Sequence, residues 1–215
     1  MSYDIAPLII TLKLACITTV ILMVIGIPLA YALAFTKSRF KYVLEAMISM
    51  PLVLPPTVLG FYLLLAFGPH TIFGVQIAFS LIGLVIGSVI FSLPFMVNPI
   101  KAGFQHVPQT LIDASATLGK SRRQTLLKVL LPNIRPSLLT GIIMAFAHTI
   151  GEFGVVLMIG GNIPGVTRTA SIAVFSEVEA LNYQTANFYA MVMLVFSFCI
   201  LLGLYWFNRK NVKVF

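Results

Sequence analysis

Two polar side chains in an apolar stretch have a spacing that could support chemistry. His148 and Glu152 lie four residues apart within residues 134–159, a separation that places both on one face of a helix. They could act as an acid and a base, or supply two ligands to a metal ion. No third ligand is nearby in the sequence, so we predict no metal site and no catalytic residue. We expect Glu152 instead to form a gate, bonding backbone amides or His148 across a helix bundle or a dimer.

A polar, basic segment over residues 113–133 is the second candidate for function. Its sequence is DASATLGKSRRQTLLKVLLPN. Pro108 suits the start of a helix, and Gly119 can end that helix in the left-handed conformation. Ser121 with Gln124 predicts a capping box for a second helix. The segment is therefore predicted to form a helix, a glycine elbow and a helix that can press into a groove of a partner. The alternative is a charged loop that only fixes topology.

The composition identifies the surrounding elements as membrane helices. Hydrophobic residues make up 59% of the chain and charged residues 9%, against about 25% charged in soluble domains. Because a span needs roughly 20 apolar residues, we predict an all-α integral membrane protein with five transmembrane helices. The predicted spans are residues 8–35, 43–67, 79–100, 134–159 and 188–207. A short re-entrant or surface helix is predicted around residues 171–180.

The distribution of positive charge predicts how the chain lies in the membrane. Twelve of the 14 basic residues fall in clusters at residues 37–41, 101–135 and 209–213, and the other two are Lys13 and Arg168. The clusters lie on one side of the five predicted spans, and the positive-inside rule makes that side cytoplasmic. The N-terminus is therefore predicted outside and the C-terminus inside. Basic residues are not interleaved with aromatic ones, so no nucleic-acid partner is predicted.

Prolines interrupt the second predicted span. Pro51, Pro55 and Pro56 remove backbone donors, so a helix through them must kink or open. In lipid the freed backbone groups need protein or water partners. The break marks either a packing kink or a translocation pathway, and the sequence leaves both interpretations open.

The basic segment resembles the cytoplasmic coupling motif of ABC importer permeases. That motif reads Glu-Ala-Ala, three residues, Gly, nine residues, Ile, any residue, Leu, Pro. The matching residues of this chain are Asp113, Ala114, Ser115, Gly119, Val129, Leu131 and Pro132. Residues 51–60 (PLVLPPTVLG), 151–154 (GEFG) and 161–169 (GNIPGVTRT) are similar to blocks of molybdate permeases. Sulfate and tungstate permeases carry related versions of these blocks.

The resemblance implies a type I ABC importer permease fold over residues 1–215 as one domain, with a coupling loop at 108–132. It implies transport of molybdate, or alternatively of tungstate or sulfate. The implied partners are a second copy of this chain, two cytoplasmic ATPases, an extracytoplasmic oxyanion-binding protein and membrane lipid. ATP and Mg would bind to the ATPases, so no cofactor is expected in this chain. Some relatives have a further N-terminal span; the first predicted span here resembles the one that follows it, so five spans rather than six are expected.

An oxyanion would cross the membrane here without a full countercharge, because no Lys or Arg lies centrally in a predicted span. Desolvating a divalent anion without compensation is costly, so we predict a wet, weakly binding passage and leave selectivity to the binding protein. The expected lining consists of hydroxyl-bearing residues: Thr57, Ser88, Ser92 and Thr149. Arg168 is predicted either to dock the binding protein at the outer face or to be a solvated charge.

Two other classes of protein find less support in the sequence. A secondary transporter or channel would need midplane charges or an internal repeat, and neither is evident. A membrane-embedded enzyme would need a nucleophile with its base, or a metal site, and the sequence offers only His148 with Glu152. Gly119-Lys120-Ser121 imitates the end of a phosphate-binding loop, but the required first glycine is replaced by Ala114.

Overall fold

The computed structural model describes residues 3–68 and 77–211, and every regular element within them is helical. The predicted all-α class is therefore confirmed. In chain order the elements are α1 (Ala6–Phe35), α2 (Phe40–Ser49), a 3-10 turn (Met50–Leu52), α3 (Pro56–Phe67), α4 (Leu81–His106), α5 (Gln109–Thr117), α6 (Arg122–Thr125), a π-helical turn (Leu126–Leu130), α7 (Leu131–Asn133), α8 (Arg135–Gly151), α9 (Gly154–Gly160), α10 (Ala170–Glu179) and α11 (Tyr183–Asn211).

Three stretches are long and apolar enough to cross a membrane, namely α1, α4 and Tyr183–Gly203 of α11. Two bent pairs of segments reach the same length and composition together, which raises the count to five if each pair is one span. The predicted number of spans equals this upper count. Phe40–Leu52 meets α3 at 109°, and Arg122–Asn133 meets α8 at 78°. The helix predicted around residues 171–180 is present as α10.

The core of the protein lies where α1 packs on α4 and α4 packs on α8. Leu22, Met96 and Phe104 are fully buried there. Glycines allow close approach, since a Cβ at Gly26 would lie 2.8 Å from Met96 Cγ and one at Gly141 would lie 2.9 Å from the Met96 carbonyl oxygen. Because lipid is as apolar as these side chains, close packing holds such helices together.

Besides the 78° bend before α8, two breaks lie within the predicted spans. The first is the predicted one, where Pro51 is buried in the 3-10 turn and α3 begins at Pro56, a position at which the missing N–H has no helical acceptor. The second separates α8 from α9 within the fourth predicted span. Gly151 ends α8, and Glu152 takes an extended conformation with φ −67° and ψ 133°. Residues 134–159 therefore do not form one continuous helix.

The segments that follow the two breaks pack on each other. α3 lies against α9, and glycines permit the contact. A Cβ at Gly60 would lie 2.7 Å from Met158 Cβ, and a Cβ at Gly154 would lie 2.7 Å from Pro56 Cβ. The proline break and the Glu152 break are therefore joined at one place in the fold.

Candidate functional site

The helix, glycine elbow and helix predicted from the basic segment are present, and we call residues 109–133 the coupling element. α5 is followed by Gly119 with φ 68°, as predicted for a left-handed stop. The Ser121 hydroxyl accepts a hydrogen bond from the Gln124 N–H, and the Gln124 side chain accepts one from the Ser121 N–H. These two bonds form the predicted capping box.

A contact that the sequence did not predict fixes the angle of this elbow. The hydroxyls of Ser115 and Thr125 lie 2.7 Å apart, and both residues are buried. Thr125 also donates to the Ser121 carbonyl oxygen. Because the hydroxyl contact joins α5 to α6 across Gly119, Ser115 holds the coupling element together from within. Among the seven motif residues, Ser115 is the only one that is fully buried.

The outer side of the coupling element is exposed. Asp113 and Ala114, at the first two motif positions, lie on the surface, and the Asp113 carboxylate accepts a hydrogen bond from the side-chain amide one turn earlier. Leu118, at the tip beside the elbow, is 76% exposed, and Leu127 is 51% exposed. Apolar side chains presented on a polar projection are typical of a protein–protein contact.

The inner side of the coupling element reaches the core. The remaining motif residues, Val129, Leu131 and Pro132, are partly buried. Leu130 and Ile134 are buried in the same cluster as the side chains of α1 and α4. The coupling element is therefore packed directly against the membrane helices.

A buried polar seam joins α4 to α8. The Ser92 hydroxyl lies 3.0 Å from His148 Nδ1 and 3.0 Å from the Thr149 hydroxyl. Thr149 donates to the Ala145 carbonyl oxygen, so Ser92 must donate to Thr149 and accept from His148 Nδ1–H. The His148 ring also stacks on Phe95, with centroids 3.9 Å apart. His148 is therefore held by α4 and not by Glu152.

Glu152 lies at the second break with its carboxyl group buried. The expectation that it shares a helical face with His148 is wrong, because α8 ends at Gly151. Glu152 is 4% exposed, and neither carboxyl oxygen has a hydrogen-bond partner in the described chain. The Ser88 hydroxyl, which is also buried, lies close to the Glu152 carboxyl group but outside hydrogen-bond geometry. Because a carboxyl group within a membrane segment usually faces the bundle interior or a water cavity, the gating role of Glu152 stays a prediction.

The hydroxyl-bearing residues expected to line one passage differ in their exposure within one protomer. Thr57 is exposed in the first turn of α3, beside the exposed Pro55 and Pro56. The other three are buried within the protomer: Ser88, Ser92 and Thr149. Whether the four hydroxyls line one passage stays a prediction.

Arg168 is oriented by hydrogen bonds in the loop between α9 and α10. Its Nε donates to Asn162 Oδ1 at 2.7 Å, and Asn162 Nδ2 donates to the Ser176 hydroxyl at 2.7 Å. Gly161 and Gly165 take φ of 64° and 72°, which lets this loop turn back on itself. Arg168 is thus a positioned side chain, and its role in docking the binding protein stays a prediction. No local sequence pattern predicted that Asn162 and Ser176 support this side chain.

The fold and the coupling element define a transport subunit, and the chain belongs to the family of binding-protein-dependent transport system inner membrane components, whose model matches residues 9–213. It is a multi-pass inner-membrane protein and not an enzyme. Members of this class work with a separate ATPase and a periplasmic binding protein.

Individual members of this class and solved structures are similar to this chain. The chain is 46% identical over 212 residues to the molybdenum transport system permease protein ModB of Azotobacter vinelandii, covering 95% of this chain and 94% of ModB. It is 28% identical over 204 residues to the sulfate transport system permease protein CysT of Salmonella typhimurium, covering 91% and 73%. Its fold matches the inward-facing MetNI methionine ABC transporter with a TM-score of 0.76 at 18% identity, covering 95% of this chain and 94% of that chain. The predicted type I ABC importer permease fold is thereby confirmed.

Proposed function

We propose that this chain is the permease subunit of an ATP-driven importer that moves molybdate across the cytoplasmic membrane. The observation that carries the proposal is the 46% identity to ModB over nearly the whole chain. The blocks that resemble molybdate permeases also fall at the first break, at the second break and in the loop that holds Arg168. A sulfate or tungstate importer is the second candidate. Between these two anions, the 28% identity to CysT favours sulfate.

The coupling element is proposed to dock on the ATPase from the cytoplasmic side. In this orientation the N-terminus lies outside and the C-terminus inside, as the positions of the basic clusters indicate. Exposed Leu118 enters an apolar groove of the partner, and buried Leu130 and Ile134 pass the displacement to the core. α4 and α8 move as one unit because the seam of Ser92 and His148 ties them together.

A second copy of this chain is proposed to complete the translocation pathway. The polar seam is enclosed within one protomer, whereas Thr57 and its neighbouring prolines are exposed. An anion therefore crosses between two protomers, along the exposed surface of α3. Hydroxyls and loosened backbone amides replace some of its water, without a cation that would trap it. The binding protein, docked at Arg168, supplies the selectivity.

Glu152 is proposed to gate this pathway from the second break. Its buried carboxyl group lies beside the Ser88 hydroxyl where α8 and α9 separate, next to the contact between Gly154 and Pro56. Movement of α3 against α9 would give the carboxyl group new partners or water. A two-state switch requires two alternative arrangements of this break, and the state of the ATPase would select between them.

The test is uptake into proteoliposomes that contain this chain, its ATPase and its binding protein. Radioactive molybdate should accumulate only with ATP on the ATPase side and with the binding protein on the opposite side. Uptake without ATP would contradict the importer. Competition with unlabelled tungstate and sulfate decides the substrate, and efficient transport of sulfate in place of molybdate would establish the second candidate.

A further inference from the structure

A cleft of about 510 Å³ lies between the end of α1 and the coupling element. Its polar lining includes Lys120, Arg122 and the hydroxyl-bearing Thr36 and Thr125. Neither cationic side chain forms a salt bridge, since the one ion pair in the described chain joins Lys101 to Glu45. No carboxylate lines the cleft. It is therefore a concave surface with two uncompensated positive charges.

The floor of this cleft is aromatic and fixed. Tyr31 and Phe35, in the last turns of α1, line it, and both pack on the buried Phe104 ring at centroid distances of 5.6 and 6.1 Å. These residues end a membrane helix, so they lie at the level where apolar chains meet lipid headgroups. The cleft thus combines an apolar wall on the membrane side with cations on the other side.

A neighbouring concavity extends the positive surface. It shares Phe35 and Thr36 with the first cleft and is lined by Lys37 and Arg39 from the connection between α1 and α2 and by Lys41 from the first turn of α2. Positive charge therefore continues from the coupling element around the end of α1. A small soluble anion would use only part of this surface, whereas a lipid headgroup with its chains spans both the basic and the aromatic parts.

We infer that this cleft binds an anionic phospholipid of the cytoplasmic leaflet, with the phosphate on Lys120 and Arg122 and an acyl chain along Tyr31 and Phe35. Basic pockets between helix ends on the cytoplasmic side bind such headgroups. The inference rests on the orientation in the proposed function, but it does not depend on which oxyanion is carried. The lipid would join the end of α1 to the coupling element, so its occupancy would depend on how far the two are separated.

The experiment is native mass spectrometry of the purified permease–ATPase complex, titrated with phosphatidylglycerol or phosphatidylcholine carrying the same acyl chains. The wild-type complex should bind the anionic lipid more tightly. Lys120→Ala and Arg122→Ala should each weaken that binding roughly fivefold, and the double variant roughly 25-fold. Arg123→Ala is the matched control, because this neighbouring exposed cation does not line the cleft. It should keep the wild-type preference.

Three outcomes would overturn the inference. One is equal affinity of the wild-type complex for the two lipids, and another is an equal loss in Arg123→Ala and in the double variant. The third is displacement of the bound lipid by excess inorganic phosphate, which would identify a site for soluble anions. The double variant Lys120→Arg with Arg122→Lys conserves both charges and should keep the wild-type preference for the anionic lipid. It therefore distinguishes a loss of charge from a loss of folding.

Discussion

The contact between the two breaks can be tested by adding a single methyl group. A Cβ at Gly154 would lie 2.7 Å from Pro56 Cβ and 3.2 Å from Thr57 N, whereas carbon atoms pack at about 3.5 to 4.0 Å. Both neighbouring atoms belong to the first turn of α3, so no rotamer change can relieve the clash. Gly154→Ala must therefore push α3 and α9 apart.

The cost follows from that geometry. Overpacking of this kind typically destabilises by about 1 to 3 kcal/mol, and the better helix propensity of alanine offsets at most about 1 kcal/mol of it. We expect a net loss of about 1 to 2 kcal/mol. For a chain of this size that corresponds to roughly 2 to 8 °C in Tm. Displacing α3 also disturbs the proposed pathway, so molybdate uptake should fall as well.

Gly151 provides the matched control three residues away. It ends α8, and a Cβ there would meet nothing within 4 Å. Gly151→Ala should therefore leave Tm unchanged or raise it slightly. Gly60→Ala tests the same contact from α3, because its Cβ would lie 2.7 Å from Met158 Cβ and 3.1 Å from Val155 Cα. It should behave like Gly154→Ala.

The measurements are thermal unfolding of the purified permease–ATPase complex and molybdate uptake at equal protein in proteoliposomes. Wild-type Tm and uptake in Gly154→Ala would refute the reasoning, because the clash would then be relieved without consequence. An equal loss in Gly151→Ala would also refute it, since the effect would no longer depend on the contact with Pro56.

Three further predictions concern coupling, topology and the anion. Gly119→Val should cost about 1 to 2 kcal/mol through its positive φ alone, since its Cβ meets nothing within 4 Å, and should lower both co-purification of the ATPase and uptake; normal values of both would contradict it. In a background lacking Cys16 and Cys199, Ser121→Cys should react with an impermeant thiol reagent from the cytoplasm and Asn162→Cys from outside, and the reverse pattern would overturn the proposed orientation. Equilibrium binding of molybdate to the purified permease should be weak, and submicromolar affinity would reveal an anion site within this chain.

The coupling element was predictable because its structure depends on neighbours in the sequence. Gly119 stops α5 in the left-handed region, and Ser121 with Gln124 caps α6 over three residues. The proline break before α3 follows from the same kind of local rule, since Pro51 and Pro56 lack donors whatever surrounds them. Composition alone predicted that the long apolar stretches form membrane helices.

The interior of the site was decided by the tertiary structure. Ser92 and His148 are 56 residues apart in the chain, so their bond depends on how α4 packs against α8, which no local pattern specifies. The predicted pairing of His148 with Glu152 assumed a continuous helix, but α8 ends at Gly151 and α9 turns to pack on α3. Local rules act over one helical turn, whereas burial and pairing of polar groups depend on which helices meet.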